Sequence, residues 1–139
     1  MNDAHGAGRH DHLIDIAGIR IGHAEDARAR SGVTVILPDA PAVMAVDVRG
    51  AAPGTRETDA LDPTGLVERC HGLVLAGGSV FGLDAAGAVA AWLSARGVGL
   101  GVGARPVPVV PAAILFDLNN GGDKEWGEDP PYRDLGRRA

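Results

Sequence analysis

The stretch "LVLAGGSVFGLDAAGAVAAWL", residues 73–93, combines a short apolar run, a glycine turn and a helical pattern. Its first four residues are typical of a strand buried on both faces. From Val80 to Arg96, apolar residues recur at intervals of three and four, as on one stripe of a helix, and Gly97 ends the pattern. A strand that leads through a tight turn into a helix predicts an α/β fold.

Ser79 lies on this glycine turn and has two interpretations. A nucleophile elbow has the form G-x-S-x-G, and here Phe81 stands where the second glycine is needed. The Ser79 hydroxyl also suits the N-cap of the helix, where it would accept a hydrogen bond from an exposed amide. We therefore favour the cap. The turn amides could hold a phosphate, but the P-loop lysine and the G-x-G-x-x-G spacing are missing at this position, which makes nucleotide binding a weak hypothesis.

The segments on the amino-terminal side predict more strands. Isoleucines alternate over Ile14–Ile16 and Ile19–Ile21, which predicts two short strands about a glycine turn, with His23 closing the second. "SGVTVILP" (31–38) and "VMAVDVRG" (43–50) each place apolar residues on one face. The short proline-containing connection between them predicts that these two are hairpin partners.

The remaining segments predict loops, one further strand and two helices. Residues 51–63 are polar and form a loop, with one helical turn after Thr58. Residues 64–71 are expected to form a short helix that ends before a glycine. "AAILFDL", residues 112–118, predicts a second buried strand, and a helix begins at about Tyr132.

Composition bounds the class of protein. A chain of 139 residues is long enough for one domain with a real core. The net charge of −5 and the scattered basic residues argue against nucleic-acid binding. The longest apolar runs are about half of the roughly 20 residues that a membrane span requires. Cys70 is the only cysteine, which predicts a buried, inert thiol and a reduced, cytoplasmic setting.

Residues 1–12 are predicted to be a flexible leader, and residues 13–139 a single α/β domain. The leader holds His5, His10 and His12, but without a defined ligand spacing, so we expect no metal site there. No cofactor is expected either.

Several segments together resemble a known family. "IDIAGIRIGHAED", "GVTVILP", "AVDVRGAAPGTRETD", the stretch 73–93 and "VPVVPAAILFDLN" are similar, in this order and at these spacings, to the amino-terminal part of the P1-type aminopeptidase family. That family includes L-aminopeptidase/D-esterases, β-aminopeptidases and nylon-oligomer hydrolases. The resemblance runs from about Leu13 to about Gly136.

The resemblance implies part of a four-layer αββα sandwich, with helices outside two stacked sheets, like N-terminal-nucleophile hydrolases with different connectivity. In the family, a precursor cleaves itself before a Ser or Thr in a glycine-rich segment, and the new α-amine can serve as general base for that nucleophile. This chain contains no such segment. It is therefore expected to be an α-subunit portion, truncated before the processing site and inactive alone.

The resemblance also implies partners and site residues. The partner is a downstream β-subunit segment that carries the nucleophile, in a homo-oligomer of αβ units that acts on small peptides, amides or esters. Asn119 is the candidate for an oxyanion or substrate contact, because the family has a functional asparagine in about this part of the α-chain. Asn120, Lys124 and Tyr132 are candidates for the same cleft. A loop cap and exposed charge explain these residues equally well.

Three residues of the polar loop are further candidates. Arg56, Glu57 and Asp59 could orient a substrate amine, or could hold the loop by their own ion pairs. Ala51 replaces the family's commoner glycine, which would cost about 1 kcal/mol if the position needs a positive φ. Two other classes stay open: a non-catalytic binding domain that kept the scaffold, and serine hydrolysis by Ser79, which the failed elbow spacing disfavours.

Overall fold

The structure is a computed structural model that describes residues 8–139. Its strands form one five-stranded sheet. The strands are β1 (Ile19–Asp26), β2 (Ser31–Pro38), β3 (Thr55–Arg56), β4 (Leu73–Ala76) and β5 (Ala112–Ile114). The helices are α1 (Asp84–Ser94) and α2 (Tyr132–Arg138), with 3-10 turns at Leu13–Asp15, Thr58–Leu61 and Ser79–Leu83.

The sheet is mixed, with the strand order β1-β2-β4-β5-β3. Strands β1 and β2 form an antiparallel hairpin, and β2 pairs antiparallel with β4 on its other edge. Strands β4 and β5 are parallel, and α1 makes the crossover between them. The strand, turn and helix predicted for residues 73–93 are thus confirmed as the first half of a β-α-β unit.

The core lies on one face of the sheet, under α1 and α2. Val33, Val35 and Val74 point into it from the strands. Leu93 of α1 and Leu135 of α2 pack against them and are almost completely buried. This single apolar layer is what holds the two helices on the sheet.

The opposite face of the sheet is open. Because side chains alternate along a strand, Thr34 and Leu75 point away from the buried residues on either side of them. Leu75 is 43% exposed, although the continuous apolar run of β4 predicted burial on both faces. A groove of about 330 Å³ lies on this face, lined by residues of β2, β4 and β5 and the segments that follow β4 and β5. The prediction that β4 is buried on both faces is therefore wrong for one of the two faces.

The predicted first strand, Ile14–Ile16, is replaced by a 3-10 turn. The Asp15 carboxylate accepts hydrogen bonds from the backbone amides of His10 and His12, and these bonds fold residues 10–15 back on themselves. The second predicted strand exists and runs past His23 to the end of β1. His5 lies outside the described residues.

Residues 43–50 form no strand, and their predicted hairpin with β2 is wrong. Both edges of β2 are already paired, one with β1 and one with β4, which leaves no edge for a third partner. Residues 64–71 form no helix, since a helix this short needs a packed apolar face and Leu66 is fully exposed. Asp62 instead binds the amide and hydroxyl of Thr64 in a tight turn, and Cys70 pairs with Ala42 in an isolated antiparallel bridge.

The strand predicted for "AAILFDL" is shorter than expected. Strand β5 ends at Ile114, and the next two residues, Leu115 and Phe116, are exposed. The helical turn after Thr58 and the helix beginning at Tyr132 are confirmed. Across residues 8–139, no helix combines the length and apolar character needed to cross a membrane.

The contact between α1 and α2 generates a stability prediction. A Cβ added to Gly136 of α2 would lie 2.6 Å from the carbonyl oxygen of Ala85. A glycine-to-alanine change inside a helix normally stabilises it by about 1 kcal/mol. Gly136→Ala should instead destabilise the protein by about 1–3 kcal/mol, because the two helices must move apart.

Urea unfolding measures this change, with Gly103→Ala as the control, because a Cβ at Gly103 would meet open space. A stabilised Gly136→Ala protein would show that the helices do not pack this closely.

Candidate functional site

The carboxyl ends of β4 and β5 lie beside the amino end of β2, at one end of the central strands. In open α/β sheets, binding sites form outside the carboxyl ends of parallel strands. The residues at this end of the strands are held by a connected set of side chains and amides, which we call the turn cluster. It consists of Ser31, Gly77, Gly78, Asp117 and Tyr132.

Asp117 is the centre of the turn cluster. One of its carboxylate oxygens accepts a hydrogen bond from the Gly78 amide at 2.7 Å, and the other accepts one from the Ser31 hydroxyl at 2.6 Å. The Tyr132 hydroxyl donates in turn to the Ser31 oxygen at 3.0 Å. These bonds connect the segment after β5, the turn after β4, the start of β2 and the first residue of α2.

The two glycines are required by the close approach of the turn to these side chains. A Cβ at Gly77 would overlap the Asp117 carboxylate and the Ser31 hydroxyl. A Cβ at Gly78 would overlap the Tyr132 ring, and Gly78 has φ +83° besides. The turn backbone therefore rests directly on the polar side chains, and no other residue type fits either position without a shift.

Ser79 does not act as the predicted helix cap. Its φ is +54°, which is unusual for a residue with a side chain, and its hydroxyl makes no cap hydrogen bond. Ser79 opens a 3-10 turn that leads into α1, so the α-helix itself begins at Asp84. The strain resembles that of a nucleophile elbow, but His23 and His71, the histidines within the fold, are bonded elsewhere.

The amides of this turn are all used within the protein. Gly77 donates to the Gly32 carbonyl at 2.9 Å, Gly78 donates to Asp117, and Ser79 donates to the Leu115 carbonyl at 3.0 Å. A carboxylate of the chain itself thus occupies the place where a phosphate would sit in a nucleotide-binding loop. This arrangement disfavours nucleotide binding at the turn.

Tyr132 is completely buried, so a substrate cannot reach its ring in this conformation. Trp126 meets it edge to face with ring centroids 5.9 Å apart, and Phe81 meets Trp126 in the same way at 5.8 Å. Burial, with smaller effects of Asp117 and Asp26, raises the pKa of Tyr132, which keeps its hydroxyl protonated as a donor. Its role in substrate binding stays a prediction.

Asn120 and Lys124 hold the loop after β5 against the turn between β1 and β2. The Asn120 side chain donates to the Arg30 carbonyl and accepts hydrogen bonds from Gly122 and, at 3.0 Å, from Lys124. Lys124 also donates to the Ala29 carbonyl. Both polar groups are therefore engaged with the loop, whereas the neighbouring Asn119 is exposed at its surface.

Arg56 and Glu57 lie on and beside β3, at the opposite edge of the sheet from the β1–β2 hairpin. Each binds a backbone group rather than the other: Arg56 donates to the Leu83 carbonyl, and Glu57 accepts from the Val110 amide. The structure thus divides the predicted site residues into two groups. At the start of the polar loop 51–63, the positive φ falls on Gly50 and not on Ala51. The loss of stability predicted for an alanine at position 51 therefore does not arise.

Cys70 and His23 carry reactive groups, and the structure limits what each can do. Cys70 is buried, and burial first and the charge of Glu57 second raise the pKa of its thiol, which disfavours a thiolate nucleophile. His23 lies opposite Thr34 on the open face, with 2.9 Å between the imidazole Nδ1 and the hydroxyl oxygen. Among residues 8–139, no cluster of histidine, cysteine and carboxylate side chains suited to a metal ion occurs.

Sequence reasoning missed Ser31 and Asp117, the polar centre of the turn cluster. Both were assigned to strands because apolar neighbours surround them in the sequence. A usable signal is present, since Ser31 is the first residue of β2 and Asp117 lies three residues after β5, where a polar side chain can reach the adjacent turn. Their convergence depends on β2 and β5 flanking β4, which the strand order alone determines.

Comparison with known proteins identifies the class. Residues 11–135 match peptidase family S58, so the chain belongs to that family. It is 48% identical over 118 residues to an uncharacterized aminopeptidase of Mycobacterium tuberculosis, covering 79% of this chain and 34% of that protein. The aminopeptidase of Mycobacterium leprae is 44% identical over 117 residues, covering 78% and 32%.

A more distant relative is the 6-aminohexanoate-oligomer endohydrolase of a Kocuria species, which is 30% identical over 132 residues, covering 95% of this chain and 34% of that protein. The chain thus spans about a third of the length of the curated relatives it matches. The family is the one that the resemblance predicted.

The turn cluster generates a stability prediction. In Asp117→Asn, one carboxylate acceptor becomes an amide donor, so either the Gly78 amide or the Ser31 hydroxyl loses its acceptor. We expect a loss of about 1–3 kcal/mol in the free energy of unfolding. Denaturant unfolding tests this, with the exposed Glu128→Gln as the matched control. Equal stability of the two variants would contradict the proposed role of Asp117.

His71 generates a pH prediction. Its Nδ1 accepts the Val109 amide hydrogen at 3.1 Å in a buried setting, and burial lowers its pKa below the usual 6.5. The unfolded chain therefore takes up the proton first as the pH falls. Stability should decrease as the pH falls below about 6.5, by at most about 1.4 kcal/mol per pH unit for one proton.

Unfolding measured from pH 7.5 to pH 5.5 checks this expectation. His71→Asn keeps an acceptor but cannot titrate, so its stability should vary less with pH in that range. Identical pH profiles for the two proteins would rule out a contribution from His71.

Proposed function

We propose that this chain is the amino-terminal, α-subunit part of a self-processing amide hydrolase. The nucleophile would be a Ser or Thr that self-cleavage exposes at the start of a downstream segment. That segment would pack on the open face of the sheet and complete a four-layer αββα sandwich. On its own, this chain would be inactive.

The observation that carries the proposal is the open face of the sheet. Leu75, in a central strand, and Leu115, after the end of β5, expose apolar surface there. Burying such surface stabilises a protein by about 25 cal/mol per Å², which favours a partner on this face. The curated relatives are about three times as long as the region matched, which leaves room for such a partner within the same protein.

The hydroxyl groups of the chain also support a nucleophile from elsewhere. Ser31 is bonded on both sides, by Tyr132 and Asp117. Ser94 donates to the Pro106 carbonyl. Ser79 lies on the strained turn, and His23 and His71 form their side-chain hydrogen bonds with Thr34 and Val109 instead. A free N-terminal amine would supply the base that these serines lack.

The substrate would be the amide or ester of a small amino acid or peptide. Asn119 stays the candidate for an oxyanion or substrate contact, because its side chain is exposed beside the carboxyl edge of the sheet. Asn120 and Lys124 would act by fixing the loop that carries it. An oligomer of αβ units in the cytoplasm belongs to the same proposal.

The experiment uses the full-length protein, expressed from its complete coding sequence. We expect purified protein to appear as two chains by intact mass spectrometry, with the second beginning at Ser or Thr. It should release p-nitroaniline from amino-acid anilides. Alanine at the new amino terminus should abolish cleavage and lower hydrolysis at least about 1,000-fold.

Ser79→Gly is the control, because it removes the hydroxyl and suits the positive φ at this position. It should keep both cleavage and hydrolysis. An uncut protein whose hydrolysis disappears in Ser79→Gly would contradict the proposal in favour of a serine hydrolase within this chain. An uncut, inactive but well-folded protein would favour a binding domain.

A further inference from the structure

Residues 43–49 have the sequence pattern of a strand but lie outside the sheet. Met44, Val46 and Val48 alternate with Asp47 and Arg49, which is the pattern of a half-buried strand. In the structure, Val46 and Val48 are 46% and 44% exposed, and the segment has no ladder partner among the described residues. The valines of this segment thus lack the apolar cover that their pattern calls for.

The start of this segment is fixed. Ala42 and Cys70 exchange two backbone hydrogen bonds, of 3.0 Å and 2.8 Å, in an antiparallel bridge outside the five-stranded sheet. Arg69 adds a hydrogen bond to the carbonyl of Pro41. The residue just before this segment, Ala42, is therefore held in place and already has the backbone pairing of a β-strand.

The five-stranded sheet cannot accept the segment next to β2, since both edges of β2 are taken. A strand with one apolar face needs an edge to pair with and an apolar layer to cover that face. A second sheet stacked on the first would supply both. The side chains of Asp47 and Arg49, which form an ion pair with each other at 2.6 Å, would then stay on the polar face.

We propose that residues 43–49 form a strand of the second sheet, paired with a strand of the downstream segment of the same protein. The inference rests on the proposed function for the existence of that segment. It adds that this chain contributes to both sheets rather than to one. The occupant is the downstream segment of the proposed function, because the curated relatives are about three times as long as the region matched and because pairing within one protein costs the least entropy.

Hydrogen exchange of the full-length protein, followed by mass spectrometry, tests the inference. The amides of residues 44–49 should exchange at least about 100-fold more slowly than those of the loop residues 101–105, which have open surroundings at Gly101 and Gly103. Exchange of the two segments at the same rate would overturn it, whether or not the protein cleaves itself.

Matched variants test the side-chain part of the inference. Val46→Lys would place a charge in the layer between the sheets, and Val102→Lys places the same charge on an exposed loop residue. We expect Val46→Lys to lower the yield of soluble full-length protein at least about tenfold relative to Val102→Lys. Equal yields, with rapid exchange in the wild-type segment, would exclude a buried strand.

The two proposals fail in different ways. Slow exchange in residues 44–49 of an uncut, inactive protein would support the strand and contradict the hydrolase. Self-cleavage and activity with rapid exchange in the same residues would support the hydrolase and contradict the strand.

Discussion

The close approach of the Gly77–Gly78 backbone to Asp117 and Tyr132 is the constraint on which the rest of the fold depends. It determines how β4 passes into α1, and it places the end of β5 and the start of α2 against the same turn. Because the carboxylate satisfies a turn amide, a left-handed glycine and a strained serine can follow each other at this point. The helices can then lie close to one face of the sheet, with mostly alanine, valine and leucine side chains between.

This close approach of backbones explains why the chain is rich in glycine and alanine. A core of valine, alanine and a few leucines works only if backbones come close, and Gly136 against Ala85 shows how close. It also explains why the sheet is covered on one face only. The helices that the chain provides lie on the same face, and the half-exposed Leu75 in a central strand is the result.

The sequence predicted those elements whose local pattern is complete. The strand, turn and helix of residues 73–93 carry all their signals within the segment, and α2 begins with a buried tyrosine where it was expected. The errors fall where a partner decides the outcome. Residues 43–50 have the pattern of a strand but find no edge, and Leu75 has the pattern of a buried residue but no cover. Asp117 was missed for the same reason, since its function depends on strands distant in sequence.

The candidate site divides in a similar way. Asn120 and Lys124 were singled out for their chemistry, and the structure shows that their polar groups fix a loop. The polar groups of the turn cluster, by contrast, form hydrogen bonds with one another and hold the strands and helices in place. These groups are therefore used to hold the fold together.

The most direct test of this account is the accessibility of position 75 in the full-length protein. We predict that the cysteine of a Leu75→Cys variant reacts with a maleimide only after unfolding, as the buried native Cys70 should. Labelling of the native protein at the rate of an exposed cysteine, such as that of Val102→Cys, would show that no second layer covers the sheet and would contradict the account.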